Sequence, residues 1–314
     1  MSEAAMDDQH YWFRAYGLVF ASVIPIPEML PAPPEATVEA ADVVITLDTF
    51  PDELPDPIAT STIHQVNADA LLLRVADIGR YLVTGGNTIH IDPHPDATDH
   101  EVRVYLLGTC LGALLHQRDF LVLHASGIAT GHGALLFAGD SGAGKSTLLA
   151  EFLRRGYPML VDDVCAVRVD ADGTPIVIPS YPRTRLWADA AERFDIDTTH
   201  LPRTVRTWDK FERQVTEFSD QETPLTHLIH LLGPYPGREC VVERLAPLEA
   251  FPTLLHNTYR GILLDGLDRR ATHFALAAKT ARAITVLQAK RPAESNSVAE
   301  LADLILGTLD DIGS

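Results

Sequence analysis

Short apolar runs bounded by polar, glycine and proline residues recur through the first ninety residues, which read as mostly β with acidic loops. Residues 11–24 alternate loosely and carry aromatics, predicting a strand, and the proline-rich residues 25–34 predict an irregular loop after it. Short strands are predicted over 43–47, 70–75, 80–84 and 88–91, with Gly85-Gly86-Asn87 as a hairpin turn between the last two. The segment IDPHPDATDH breaks the alternation, and Thr98 or Asp99 is placed to cap a helix running to about His116. Beyond Arg118 two apolar runs, 121–129 and 134–138, surround a Gly131-His132-Gly133 turn. An amphipathic helix over 145–155 follows, ended by Gly156. Strands are predicted over 158–161 and 164–169 on either side of Asp162-Asp163, then over 175–179, 228–232 and 240–245. Helices are predicted over 188–194, 247–257, 271–283 and 297–309, with Pro252 expected to kink or split its helix. No internal repeat is visible. The pattern predicts a β-rich N-terminal domain over residues 1–95 and an α/β domain over residues 96–314.

The 314 residues are 46% apolar, enough for a sizeable core, and carry a formal charge of -18. Residues 1–100 hold three Arg, no Lys and sixteen Asp or Glu, so most of that charge lies in the front of the chain. Such a field repels phosphate backbones and anionic lipid headgroups, which argues against nucleic-acid and membrane partners and would attract a basic peptide. Cys110, Cys165 and Cys240 are far apart and show no metal or disulfide spacing, as expected of reduced thiols in a cytoplasmic protein. The opening MSEAAMDDQHYW lacks the basic and apolar regions of a signal peptide, and the longest apolar span, 104–115, is too short to cross a membrane.

One segment carries specific chemistry. Gly139, Asp140, Ser141, Gly142, Ala143, Gly144, Lys145, Ser146 and Thr147 read GDSGAGKST and fit the phosphate-binding pattern G-x-x-x-x-G-K-[ST]. Glycines admit the positive φ that aims backbone N–H groups at phosphate oxygens, and the helix beginning near Lys145 adds its N-terminal dipole. Lys145 is suited to the β- and γ-phosphates of ATP, and the Ser146 hydroxyl to Mg²⁺. Asp162-Asp163 end an apolar strand in the manner of a Walker B motif, where one carboxylate holds Mg²⁺ and the other can take a hydroxyl proton. That strand is the next element after the loop helix, closer than in many P-loop proteins. His124, in LVLHASG, lies on the strand run before the loop; a lone histidine there is more often a core residue than a functional one. The His and Asp residues of 92–100 match no standard metal-ligand spacing and suit a polar loop and cap.

Taken in order, LHASG (123–127), GDSGAGKST (139–147) and LVDDV (160–164) resemble the catalytic domain of bacterial HPr kinase/phosphorylase, whose core is related to that of phosphoenolpyruvate carboxykinases. The resemblance covers residues 115–180 well and the remaining C-terminal half loosely. It implies a P-loop kinase core preceded by a smaller domain, with Asp162 as base on an acceptor serine. Asp163 would hold Mg²⁺ together with Ser146, and His124 would tune the catalytic aspartate. Over the whole chain, FRAYGLVFASVIPIPE, YPRTRLW and NTYRGILL resemble more closely the HPr-kinase-like proteins of ribosomally made peptides, notably lasso peptides. This implies ATP-dependent phosphorylation of a serine on a protein or precursor peptide, with the acidic front half as a peptide dock, and a homo-oligomer, since the resembled enzyme is a hexamer. The N-terminal region does not look like the HPr enzyme's regulatory domain, and the family's C-terminal signature is not evident. Lys210, Arg213, Arg183, Arg185 and above all Arg260 are candidates to neutralise the transferring phosphoryl group. A small-molecule kinase on the same core, or a nucleotide-gated binding protein with incidental hydrolysis, are the competing readings.

Overall fold

The computed structural model describes residues 10–33, 38–194, 196–204, 209–233, 235–292 and 297–313. The acidic start of the chain and the end of the proline-rich loop lie outside them. The protein is a mixed α/β structure built on two large sheets and a two-stranded ribbon. All nine strands of the first sheet come from residues 11–93, in the spatial order Leu30–Pro31, Tyr11–Ala15, Leu18–Ser22, Val43–Leu47, Thr88–Pro93, Gly79–Thr84, Ala70–Val75, His64–Val66 and Ala59–Thr60. The single strand expected over 11–24 is a hairpin. Ala15 pairs with Leu18, and the two-residue turn between them puts both Tyr16 (φ 55°) and Gly17 (φ 68°) at positive φ.

The second sheet is divided between two pairing partners. Strand Leu121–Thr130 pairs through residues 121–124 with Val164–Val169 and through residues 125–130 with Gly133–Ala138. Strand Thr223–Leu231 likewise meets Pro175–Ile178 at its start and runs parallel to Gly133–Ala138 and Thr285–Lys290 along the rest. Strand Thr285–Lys290 had no clear signature, because its TVLQAK sequence follows a helix without a break residue. The ribbon, Arg183–Trp187 against Lys210–Gln214, was also not anticipated, since charged residues occupy half of its positions.

Helix Asp99–Tyr105 begins as expected from Thr98, whose hydroxyl accepts from Glu101 N while the Glu101 carboxylate accepts from Thr98 N. It continues through a π-helical turn, Leu106–Cys110, into helix Leu111–Gln117. Every residue of that turn is buried, in a core shared by the first sheet, this helix and parts of the second sheet. A continuous core therefore crosses residue 95. Helix Lys145–Arg154 buries Leu148, Leu149 and Phe152, and Phe152 stacks on Phe137 of the underlying strand at 5.1 Å between ring centres. Burying each such side chain stabilises by about 1.5–3 kcal/mol. Helix Pro247–His256 is not split at Pro252. The carbonyl left without a donor there belongs to Leu248, which is 87% exposed and open to water. No described helix is long and apolar enough to cross a membrane.

Two buried histidines tie the loop after this helix to the core. His116 Nε2 lies 2.8 Å from the Tyr259 carbonyl and His273 Nε2 2.8 Å from Thr258 Oγ1, while both Nδ1 atoms are without partners. Burial lowers both groups from the ordinary histidine value to about 4. The unfolded chain therefore takes up protons first as pH falls. The stability held above about pH 6.5 is lost progressively toward pH 4, by up to about 3 kcal/mol per histidine. Urea unfolding at pH 7.5 and pH 4.5 is expected to show this loss, and His273→Gln to reduce its pH dependence.

Candidate active site

The centre of the site is a jog between two strands. Val161, the last residue of strand Met159–Val161, pairs with Gly127, and Val164, the first of the next strand, pairs with His124. In that frame Asp162 lies opposite Ser126 and Asp163 opposite Ala125. Regular alternation would send the two carboxylates to opposite faces. Asp163 instead has φ 74°, a left-handed conformation that aspartate tolerates better than most residues, and both carboxylates line one cavity. The hydrogen bond from Val164 N to the Asp162 carbonyl, 3.0 Å, closes the jog.

Asp162 is buried and receives hydrogen bonds from Ser126 Oγ at 2.7 Å, Thr184 Oγ1 at 2.8 Å and Arg185 N at 2.9 Å. It thus fastens the ribbon to the second sheet. Asp163 is more open, with its side chain 20% exposed; Arg185 Nη1 donates to one of its oxygens at 2.7 Å. His124 Nδ1 stands 3.3 Å from the other oxygen and 3.1 Å from the Asp163 carbonyl. Burial pushes the Asp163 carboxyl upward, but the His124 hydrogen bond and the Arg185 and Lys210 charges outweigh it and hold the group ionised, far below the usual carboxylate range. His124 is held by its backbone too: its N–H donates to the Asn257 carbonyl at 2.7 Å.

Across the cavity lies the glycine loop, carried between strand Gly133–Ala138 and helix Lys145–Arg154. Gly139, Gly142 and Gly144 have φ of 145°, 84° and 104°. Gly139 is also forced by packing, because a Cβ there would come within 2.3 Å of the Leu231 carbonyl oxygen. The Lys145 ammonium folds back on the loop and donates to the carbonyls of Gly139 at 2.6 Å and Asp140 at 3.1 Å. Burial lowers its pKa, opposed by the nearby Asp163 and Asp162.

The cavity holds about 320 Å³ and is lined by Ser141, Ser146 and Thr147 of the loop as well as by His124, Asp162 and Asp163. Five cations also line it: Lys145, Arg185, Arg193, Lys210 and Arg291. This local excess of positive charge, in a chain of net charge -18, makes the cavity a favourable setting for an anion. Arg185 sharpens that conclusion. Its Nε pairs with Glu212 at 3.1 Å and its Nη1 with Asp163, while Nη2 is buried with no partner. Those two carboxylates fix the orientation of a guanidinium that lines the same cavity as the glycine loop.

Against known proteins, no family model and no curated protein matches this chain. Among solved structures it is similar to the HPr(Ser) kinase/phosphatase from Coxiella burnetii, at 12% identity over 62% of this chain and 99% of that one, with a TM-score of 0.32. A likeness that loose assigns nothing by itself, and the chemistry has to be read from the side chains.

The structure brings His124, Lys145, Ser146, Asp162 and Asp163 to one cavity, together with Lys210 and Arg185. Asp140 faces outward, against His256 Nε2 at 3.0 Å. Arg260 does not line the cavity; it is exposed and packs over the Tyr259 ring, which separates it from His124. Arg183 pairs with Glu212 away from the cavity, and Arg213 does not reach it. Ser126, Thr184, Trp187, Arg193 and Arg291 were not anticipated. The alternation in RTRLW was the available signal for the ribbon, and Ser126 stands two residues after His124, on the same strand face. Glu28, His100 and Glu212 are the one acid–histidine cluster among the described residues with metal-ligand spacing. Arg103 takes Glu28, and Arg183 and Arg185 take Glu212, so the cluster offers no free charge to a cation.

Thr184→Val removes one donor from Asp162 and leaves the ribbon with one tether fewer. It is expected to destabilise the protein by about 1.5–3 kcal/mol, the usual range for a hydrogen bond to a buried charge, measured by denaturant unfolding at pH 7.5.

Proposed function

We propose that this protein is a P-loop kinase that transfers the γ-phosphoryl group of ATP to the serine hydroxyl of a protein or peptide. One observation carries the reading. A loop built to receive phosphates shares one cavity with a histidine-paired carboxylate and five cations, Arg185 and Lys210 among them.

The residues divide the work as follows. The backbone N–H groups after Gly142 and the N-terminus of helix Lys145–Arg154 receive the β- and γ-phosphates, and Lys145 exchanges its two carbonyl partners for phosphate oxygens. Arg185 and Lys210, which line the same cavity, take the charge of the transferring group. Asp163, ionised and more open than Asp162, accepts the hydrogen bond of the incoming hydroxyl. As the new O–P bond forms, the hydroxyl proton passes to the Asp163–His124 pair, the bond from γ-phosphorus to the β–γ bridging oxygen breaks, and ADP leaves with that oxygen. Asp162, gripped by three donors, keeps the two strands and the ribbon in register. This exchanges the roles that the family resemblance implied for the two aspartates. The oxygen donors of Ser146 and Asp162 fit a hard divalent cation such as Mg²⁺, which would supply charge neutralisation between the phosphates.

Lys145→Ala is expected to weaken ATP binding at least tenfold in titration calorimetry. Asp163→Asn preserves the shape and tolerates the left-handed backbone. It is expected to lower transfer about a hundredfold or more while leaving the ATP dissociation constant within about threefold. Labelled ATP offered with serine peptides and with small hydroxylated metabolites decides the acceptor. Label on a metabolite alone removes the peptide reading, and binding without any transfer removes the kinase reading.

A further inference from the structure

A side chain of the N-terminal sheet, Tyr16, reaches the strand that leaves the aspartate jog. Tyr16 occupies the first position of the two-residue turn between strands Tyr11–Ala15 and Leu18–Ser22, where φ is 55°. Turns of this kind favour asparagine, aspartate or glycine at that position, and a bulky aromatic there is strained. The strain is maintained by what the side chain meets. Tyr16 is 1% exposed, its Oη donates to the Val164 carbonyl at 3.1 Å, and its N–H donates to the Pro179 carbonyl at 2.9 Å. Val164 directly follows Asp163 and pairs with His124. The Tyr16 ring also meets Tyr181 edge-on at 6.2 Å. Tyr181 stands just before the Arg183–Trp187 strand that brings Thr184 and Arg185 to the aspartates, and its Oη donates to the Leu107 carbonyl in the π-helical turn at 3.3 Å. One tyrosine of the N-terminal sheet thus bears on both segments that shape the jog.

We propose that Tyr16 is a positioning residue. By pinning the Val164 carbonyl from behind, it holds Asp163 in its left-handed conformation and keeps its carboxylate against His124, so the N-terminal sheet is part of the active-site scaffold. Tyr16 does not touch substrate. The proposal rests on the kinase reading only for its consequence in rate; the geometric claim stands without it.

The test compares Tyr16→Phe with Tyr81→Phe in the full chain. Tyr81 provides a matched lesion, being fully buried in the same sheet and donating its Oη to the Val102 carbonyl at 3.0 Å, but it bears on no residue of the jog. Long-range proton–nitrogen spectra of the imidazoles, recorded without nucleotide at one pH, report which ring nitrogen of His124 carries the proton. Wild type and Tyr81→Phe are expected to show Nδ1 protonated, and Tyr16→Phe a mixture of tautomers. With an acceptor peptide that the wild type phosphorylates, Tyr16→Phe is expected to lower kcat about tenfold and leave KM for ATP within about twofold. An unchanged His124 signal in Tyr16→Phe overturns the proposal, as does an equal change in both variants. If the wild type transfers no phosphate to any acceptor, the kinase reading falls while the spectra still decide the positioning role. Should Tyr16→Phe fail to fold, Tyr181→Phe, which loosens the same support one residue removed, is expected to disturb the His124 signal in the same direction, and an undisturbed signal there overturns the proposal.

Discussion

The site depends on the conformation of two residues between two strands. Had Asp162 and Asp163 followed ordinary strand geometry, one carboxylate would face the cavity and the other the opposite side of the sheet. The left-handed step at Asp163 turns both into the same space, and the surrounding hydrogen bonds keep it there. Three donors hold Asp162, two cationic or histidine partners hold Asp163, and both strand continuations are paired to a single neighbour, Leu121–Thr130. Because that neighbour changes partners just after His124, the jog lies where the second sheet divides, a natural opening for a ligand.

Electrostatics follows from this geometry. Two neighbouring carboxylates repel each other unless each is given partners. Here Asp162 is stabilised by neutral hydroxyls and a backbone amide, while Asp163 receives arginine and histidine. The arginine is itself oriented by Glu212, so its remaining nitrogen is fixed rather than free to swing. Screening explains how an acidic chain can contain a cavity of positive charge. At physiological salt, charges more than about 8 Å away are largely screened, so the wall of the cavity matters more than the net charge.

The first sheet and the α/β portion share a core, and the contact is specific as well as apolar. Tyr16 from the hairpin, Tyr181 from the segment before the ribbon and the helix with its π-helical turn converge behind the aspartates, each buried hydroxyl finding a backbone carbonyl. Buried polar groups satisfied in this way fix relative position more tightly than hydrophobic contact alone. The loop after helix Pro247–His256 performs a similar service on the other side, running beside residues 122–124 with Tyr259 packed against His124. Gly112 admits that ring, since a Cβ there would come within 2.7 Å of it.

The sequence alone determined what depends on local conformation. The glycine loop, its strand and its helix were legible because positive φ, a buried lysine and a dipole are demands on consecutive residues. The Thr98 cap and most strand limits were legible for the same reason. Residues that meet only through folding were not. Arg185 and Thr184 come from a ribbon whose charged positions mask its periodicity, Ser126 looks like any strand serine, and nothing in Ala15-Tyr16-Gly17 shows that the tyrosine is buried behind Asp163. Arg260 was singled out by its neighbours in sequence and lies outside the cavity, because the chain at that point presents Tyr259 inward. Tertiary structure decided which aspartate meets the histidine, since the left-handed step at Asp163 sets where its carboxylate points and leaves no mark on the sequence pattern.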